Sequence, residues 1–311
     1  MPRNPLSEVF GFRIDDVSAQ AQRFRNNTLC PFSNKVPSCT KDKAEDPLGT
    51  CSIFGGPDDA EVIVTCPIRF REDWIIATDA AAFFFPPQAK YTTLTEVRLK
   101  DAHGKSAGNI DLVLVQVDES GDILDYGSVE VQAVYISGNV RKPFATYMKD
   151  PAANARLDWS AARDYPRADY LSSSRKRLAP QLIFKGGILH SWGRKMAVTM
   201  NTGFYNTLPP LPECPKDDAE MAWFVYDLVL GGDNRYHMKP HKTVYTKFQS
   251  SLDRITKTEA GDEEKFLKVL KTKLARVRTA TEEGTPPDNN TIVIPAEDGL
   301  TDDDLDFSIE D

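Results

Sequence analysis

The sequence predicts a mixed α/β (α+β) fold with a central mixed sheet flanked by helices. Three runs rich in Val, Leu, Ile, Thr and Tyr, at residues 92–99, 109–117 and 128–136, are separated by Gly-, Asp- and Ser-containing turns and are typical of strands. The second and third runs are apolar on both faces, which indicates central strands covered by helices. Helix-like patterns lie on either side, at residues 69–85 and 262–278.

Length and composition bound the protein class. The chain has 311 residues, of which 41% are hydrophobic and 10% aromatic, enough for a sizeable core in one or two domains. No run approaches the roughly 18 uninterrupted apolar residues that span a bilayer. The N-terminus lacks the apolar segment of a secretory signal. We therefore expect a soluble, cytoplasmic protein with no membrane partner.

The charge is distributed unevenly along the chain. The formal net charge is −8, and the last fifteen residues alone contain eight acids and neither Lys nor Arg. Residues 139–196 contain twelve basic residues against four Asp, a net of +8. The acidic total therefore does not exclude a nucleic-acid partner, because a basic segment remains in the part expected to fold. The composition after Ala280 predicts an acidic, disordered tail.

Four of the five cysteines crowd together near the N-terminus. Cys30, Cys39, Cys51 and Cys66 fall within 37 residues, whereas Cys214 is isolated. In a reducing cytosol such a cluster favours a metal site over two disulfides. The spacing matches no short C-x₂-C pair, so four unligated cysteines remain the alternative. Four thiolates suit zinc or iron and leave no open position for catalysis, which indicates a structural role.

Acidic side chains lie on the strand-like runs. A two-residue turn at Ser120-Gly121 would pair residues whose numbers sum to 241, and this register places Asp111 opposite Glu130 with Cβ atoms about 5 Å apart. Gln132 points to the same side of the sheet. Two carboxylates in apolar surroundings favour a bound Mg²⁺ ion, to which Glu96 could add a third ligand. The alternative is a hairpin end with ordinary surface acids.

These residues resemble a known family. An Asp followed after about twenty residues by Glu-x-Lys on adjoining strands is the signature of the PD-(D/E)XK nucleases, and Glu130-Val131-Gln132 looks like a variant with Gln in the Lys position. The four cysteines in their order, with Cys30-Pro31-Phe32 and Asn34-Lys35, extend the likeness. Together with Glu96 and Asp111, they resemble the NotI family of type II restriction endonucleases over about residues 8–140.

The resemblance implies both activity and cofactors. It implies a structural iron held by Cys30, Cys39, Cys51 and Cys66, with zinc as the chemical alternative, and a Mg²⁺-dependent active site at Glu96, Asp111 and Glu130. It also implies a homodimer that cuts both strands of a GC-rich palindrome in double-stranded DNA, and a cognate DNA methyltransferase acting on the same site. Gln132 cannot take up a proton near neutral pH, so its expected role is to orient the attacking water.

The expected organisation follows from these assignments. Residues 1–70 form the cysteine-rich metal-binding region, 71–280 the PD-(D/E)XK catalytic and DNA-binding domain, and 281–311 the tail. Two other functions stay open: a DNA-repair or structure-selective nuclease, and a non-catalytic zinc-binding DNA-binding module. The basic residues expected to contact DNA phosphates, or otherwise to form a solvated face, are Arg141, Lys142, Arg175, Lys176, Arg177, Arg194 and Lys195.

Overall fold

The structure is a computed structural model that describes residues 3–33, 38–43, 45–56, 61–258 and 260–282. The chain divides into two compact units, Met1–Lys257 and Thr258–Asp311. In the second unit the described element is a long helix, Glu263–Glu282, which confirms the helix predicted over residues 262–278. The predicted acidic tail lies almost entirely outside the described residues, as does the Asn34-Lys35 dipeptide.

The N-terminal part of the first unit is a small antiparallel sheet. Its strands are ordered β2-β1-β3-β4. Apolar side chains of β1 and the following turn, including Leu6 and Phe10, pack against Phe144 and Tyr147 of a later helix. The bounds are β1 (Leu6–Val9), β2 (Phe12–Arg13), α1 (Ala19–Asn26), β3 (Thr50–Gly55) and β4 (Glu61–Val64).

A six-stranded mixed sheet forms the centre of the first unit, as the sequence predicts. Its strand order is β12-β11-β10-β7-β6-β5, with β7, β10 and β11 mutually parallel and the other neighbours antiparallel. Its strands are β5 (Tyr91–Lys100), β6 (Ser106–Val117), β7 (Ile123–Gln132), β10 (Met196–Asn201), β11 (Met221–Leu230) and β12 (Tyr236–Thr246). Outside this sheet, β8 (Tyr135–Ser137) pairs with β9 (Arg167–Asp169).

Helices cover both faces of the central sheet. Helix α2 packs on the face that carries Leu112 and Val129, and the helices around Leu182 and Phe248 pack on the face that carries Val198. These helices are α2 (Ile75–Phe84), α3 (Arg141–Lys149), α4 (Pro151–Asn154), α5 (residues 170–191, with π-helical turns at Ser173–Leu178 and Leu182–Gly186), α6 (Thr202–Tyr205) and α7 (Phe248–Thr256). Across the described residues, none of the helices is long and apolar enough to cross a membrane.

The helix predicted over residues 69–85 begins later than expected. Residues Pro67–Trp74 form a 3₁₀ segment instead, and the α-helix starts at Ile75. The cause lies in the backbone: Asp73 and Trp74 have φ angles of 48° and 54°, in the left-handed region that breaks a right-handed helix. The helix ends at Phe84, before the Pro86-Pro87 pair that the sequence indicates as its stop.

The hairpin β6–β7 has the predicted register through a different turn. Leu112 pairs with Val129 and Gln116 with Asp125, so their numbers sum to 241 as expected. The connection, however, runs from Asp118 to Asp122, which share a backbone hydrogen bond, so three residues rather than two lie in the turn. A bulge at Leu124 adds one residue to β7 and restores the register.

Candidate active site and cysteine cluster

Asp111 and Glu130 come directly after the last pair of this ladder, Leu112–Val129, and their side chains are close enough to interact. The backbone N–H of Val131 donates a hydrogen bond of 2.7 Å to Asp111 Oδ2, which ties the Asp111 side chain to β7. Glu130 is fully buried. Burial, followed by the charge of Asp111, raises the pKa of Glu130 to about 8. The hairpin therefore brings two acids together in a place that disfavours two free negative charges.

Lys185 reaches this pair from helix α5. Its ammonium donates hydrogen bonds to Glu130 Oε2 at 2.5 Å and to the backbone carbonyl of Asn109 at 2.8 Å. The lysine is 3% exposed, so the ion pair is enclosed. Sequence reasoning did not single out Lys185, which was one of twelve bases in residues 139–196. Its position four residues after Gln181, within the apolar run of residues 182–189, was the only available signal.

Gln132 is also buried beside Glu130 on the same face of β7. Its amide nitrogen donates a hydrogen bond to Gln181 Oε1 of α5. Among the described residues, the side-chain oxygens Glu130 Oε1 and Gln132 Oε1 have no hydrogen-bond partner although both are buried. Buried oxygens without partners are costly, and a carboxylate with a neighbouring amide oxygen is a donor set suited to a hard divalent cation.

Glu96 stands apart from this group. The flanking pairs Thr95–Leu112 and Val97–Ile110 put it across from Asp111 in the register. Its φ of 55° is a left-handed irregularity within β5, and its side chain is 58% exposed, with a carboxylate oxygen 4.0 Å from Arg71. Within the part of the chain that is described, no three His, Cys, Asp or Glu side chains have the arrangement of a metal site as placed.

The four predicted cysteine ligands lie in one region. Cys51 is on β3, and Cys66 lies two residues after the end of β4. Cys30 and Cys39 each follow a residue of the isolated bridge between Leu29 and Ser38. Cys39, Cys51 and Cys66 are buried, Cys30 is half-buried, and all four are free thiols. The fold of the N-terminal sheet thus brings together four cysteines that are far apart in sequence.

The thiols are close enough to affect one another electrostatically. Burial, and after it the neighbouring Cys66 thiol, raises the pKa of Cys51 well above its usual value. Burial also raises the pKa of Cys30, to about 11, and Cys66 and Cys39 add to this. A cation that binds thiolates would relieve this cost, so the donor set fits a tetrathiolate metal even though the side chains as placed do not form one.

The predicted DNA-binding residues fall at two ends of the central sheet. Arg141 forms ion pairs with Asp42 and Asp46, and Lys142 lies over the Trp159 ring. Arg177 lies over Tyr135, just beyond the end of β7, and Arg175 and Lys176 are exposed on the same helix.

Arg194 and Lys195 lie at the opposite end, before the start of β10. Arg194 pairs with Asp125, and Lys195 contacts the Phe83 carbonyl and ring. The seven residues therefore do not form a single patch. The contact of Arg177 with the Tyr135 ring puts Arg175, Lys176 and Arg177 at the end of the sheet where β7 ends.

Comparison with known proteins identifies a family for the chain. The family model described as "Restriction endonuclease NotI" matches residues 8–238. The match covers most of the chain and includes the four cysteines, Asp111, Glu130, Gln132 and Lys185. No curated protein matches the chain.

Proposed function

The chain belongs to the NotI family of restriction endonucleases, and from this membership we propose a Mg²⁺-dependent enzyme that cuts both strands of a GC-rich palindrome. It is a type II site-specific deoxyribonuclease, so its substrate is double-stranded DNA. The family suggests a divalent metal cofactor. We propose in addition that this metal is Mg²⁺, that the recognition site is a palindrome, and that the residues named below act in cleavage and DNA binding.

The observation that carries the proposal is the buried pair of acids on β6 and β7. Asp111 and Glu130 would hold the metal ion, with Glu130 Oε1 as the free donor, and Glu96 would add a ligand or bind a second ion. When bound, Mg²⁺ would supply Lewis-acid activation of the scissile phosphate and of a water molecule. Gln132 would orient the attacking water through its free amide oxygen.

We place DNA contact on the basic residues of the segment 139–196. Lys and Arg there bind phosphates, which positions the duplex and makes binding weaken with salt. Arg175 and Lys176 are exposed, and Arg177 lies over Tyr135, three residues beyond the end of β7, which supports this role. A palindromic site requires two symmetric active sites, so the active form is a homodimer. A methyltransferase of the same specificity protects the host DNA.

We also propose a structural metal ion, iron or zinc, held by Cys30, Cys39, Cys51 and Cys66. The support is the donor set: four free thiols in one region, in which burial and then neighbouring thiols raise the pKa of Cys30, Cys39 and Cys51. Elemental analysis of freshly purified protein should give about one iron or zinc per chain, the content of a single tetrathiolate site. Protein with neither metal and with native cleavage activity would refute the site.

Digestion of plasmid and phage DNA with Mg²⁺ tests the specificity. Discrete bands on a gel are the expected outcome, and sequencing their ends gives the recognition site and the cut position. A smear would instead indicate a nuclease without sequence specificity, and DNA left intact with both Mg²⁺ and Mn²⁺ would argue against catalysis.

The variant Asp111→Asn tests the catalytic assignment. The change removes a charged ligand but leaves the basic surface, so cleavage should fall by at least about 100-fold while DNA binding in Ca²⁺ persists. Single-turnover cleavage and a gel-shift titration measure the two quantities. Glu119→Gln, in the turn of the same hairpin, is the matched control and should cleave as the wild type does. Cleavage by Asp111→Asn at the wild-type rate would contradict the assignment.

A further inference from the structure

The Glu-x-Gln sequence of β7 leaves the acid pair without a positive charge from its own strand. Glu130 and Gln132 are two residues apart and face the same side of the sheet, but the amide of Gln132 is neutral. Its nitrogen is already committed to Gln181 Oε1. Whatever cation the protein provides at this place must therefore come from another element.

Helix α5 provides one. Gln181 and Lys185 are four residues apart, so they lie on one helical face. On the strand, Gln132 is the partner of Gln181 and Glu130 is the partner of Lys185. Gln181 accepts from Gln132, and Lys185 donates to Glu130 Oε2 at 2.5 Å. A π-helical turn, Leu182–Gly186, contains the lysine and follows Pro180, which has no N–H for a helical hydrogen bond. Glu130 and Gln132 of β7 therefore each have a hydrogen-bonding partner on α5.

In a purely structural buried ion pair, we would expect every charged oxygen and nitrogen to have a hydrogen-bond partner. Enclosing a Lys–Glu pair costs several kcal/mol per ion unless hydrogen bonds complete it. Here Glu130 Oε1 is left without a partner among the described residues, and Asp111 adds a second acid. When both acids are ionised, two carboxylates and one ammonium leave one net negative charge, and Glu130 Oε1 is the oxygen without a partner. The lysine thus compensates part of the charge and leaves the rest for a metal ion.

We propose that Lys185 is the cation of the cleavage site, delivered from α5 in place of a basic residue at position 132. It is a positioning residue that holds Glu130 Oε2 and thereby keeps Oε1 directed to the metal ion. This inference rests on the proposed function of the Asp111–Glu130 pair.

Moving the lysine between the two elements tests the inference. Lys185→Met should reduce the single-turnover cleavage rate by about 100-fold, the usual effect of losing one charged contact in such a site, with DNA affinity in Ca²⁺ unchanged. Adding Gln132→Lys to Lys185→Met places an ammonium beside Glu130 again, now from β7. The cleavage rate of the double variant should be at least tenfold higher than that of Lys185→Met. Lys242→Met removes an equal charge from the edge strand β12, three strands away from β7, and should cleave normally.

Gln132→Lys alone gives a second test that does not depend on the stability of Lys185→Met. If Lys185 already supplies the cation, this variant should cleave no faster than the wild type. A rate above the wild type would overturn the inference, because it would show that the site lacks a lysine. Undiminished cleavage by Lys185→Met, or a loss that the double variant does not recover, would overturn it as well.

Metal binding separates this inference from the proposed function. Mn²⁺ titration of DNA-free protein by calorimetry should show weaker binding for Lys185→Met than for the wild type, with binding restored in the double variant. If the wild type cuts no DNA but this order of affinities holds, the proposed reaction fails and the role of Lys185 stands. If the wild type cuts DNA and the three affinities are equal, the role of Lys185 fails alone.

Discussion

Arg69 is a fully enclosed charge outside the candidate active site. It is fully buried and donates to Glu8 Oε2 at 3.1 Å, to Glu72 Oε2 at 2.7 Å and to the Tyr236 carbonyl at 2.8 Å. Ser52 donates a further hydrogen bond to Glu8. These contacts join β1, the 3₁₀ segment and β12, so one guanidinium connects the N-terminal sheet to the edge of the central sheet.

Replacing Arg69 should therefore be costly. Arg69→Met leaves the carboxylate of Glu8 buried and unpaired, which should lower the free energy of unfolding by about 3–5 kcal/mol. The double variant Glu8→Leu/Arg69→Met removes both charges and should recover part of this loss. Urea denaturation measures each value. Arg141→Met breaks half-exposed ion pairs and should lower the free energy of unfolding by less than about 1 kcal/mol. An equal loss of stability in Arg69→Met and Arg141→Met would contradict the role of burial.

The candidate active-site residues differ in how far the sequence could predict them. Asp111 and Glu130 were predictable because strand register depends on local turn chemistry and on the alternation of faces, and both operate over about twenty residues. Lys185 was not, because its contact with Glu130 spans 55 residues and depends on how α5 packs on the sheet. The left-handed backbone of Glu96 was equally invisible, since a strand-like sequence does not indicate a single irregular residue.

At the scale of elements, the hairpin shows that one register can arise in two ways. The predicted two-residue turn gives the same pairing as the observed three-residue turn with a bulge at Leu124. The sequence correctly predicts the central strands β6 and β7, which are apolar on both faces. β12 was missed because its sequence is largely polar and includes Pro240, which an edge strand tolerates. α5 was missed because Pro180 and the Arg175-Lys176-Arg177 run obscure its apolar face.

Deleting Leu124 tests the bulge. The deletion removes the extra residue but leaves Gln116 opposite Asp125, so Asp111 should stay opposite Glu130 and cleavage should persist. Deleting Val129, within the regular ladder, moves Glu130 to the other face of the strand and should abolish cleavage. Both deletions are compared by single-turnover cleavage after circular dichroism has shown that each protein is folded. Equal loss of activity in the two would contradict this account of the register.

At the scale of the whole molecule, the uneven charge is the feature that can be tested. The acidic residues after Ala296 account for the entire net charge of −8, and the remainder is neutral. If those residues serve only as a solvated tail, a chain that ends at Ala296 should cleave with unchanged rate and salt dependence. Cleavage assays at about 50 and 200 mM salt test this, because phosphate contacts dominate the difference. Faster cleavage or tighter DNA binding by the shortened chain would instead show that the tail competes with DNA.

The parallel pairing of β7 with β10 also fixes the order in which the site can assemble. The β6–β7 hairpin is local and can form as soon as its residues are available, whereas β10 and α5 join it only after a long crossover. During synthesis the acid pair therefore precedes its lysine. A chain released before Asn201 holds Asp111 and Glu130 but lacks strands β11 and β12 of the sheet. We expect cleavage competence to arise late, after most of the first unit has left the ribosome.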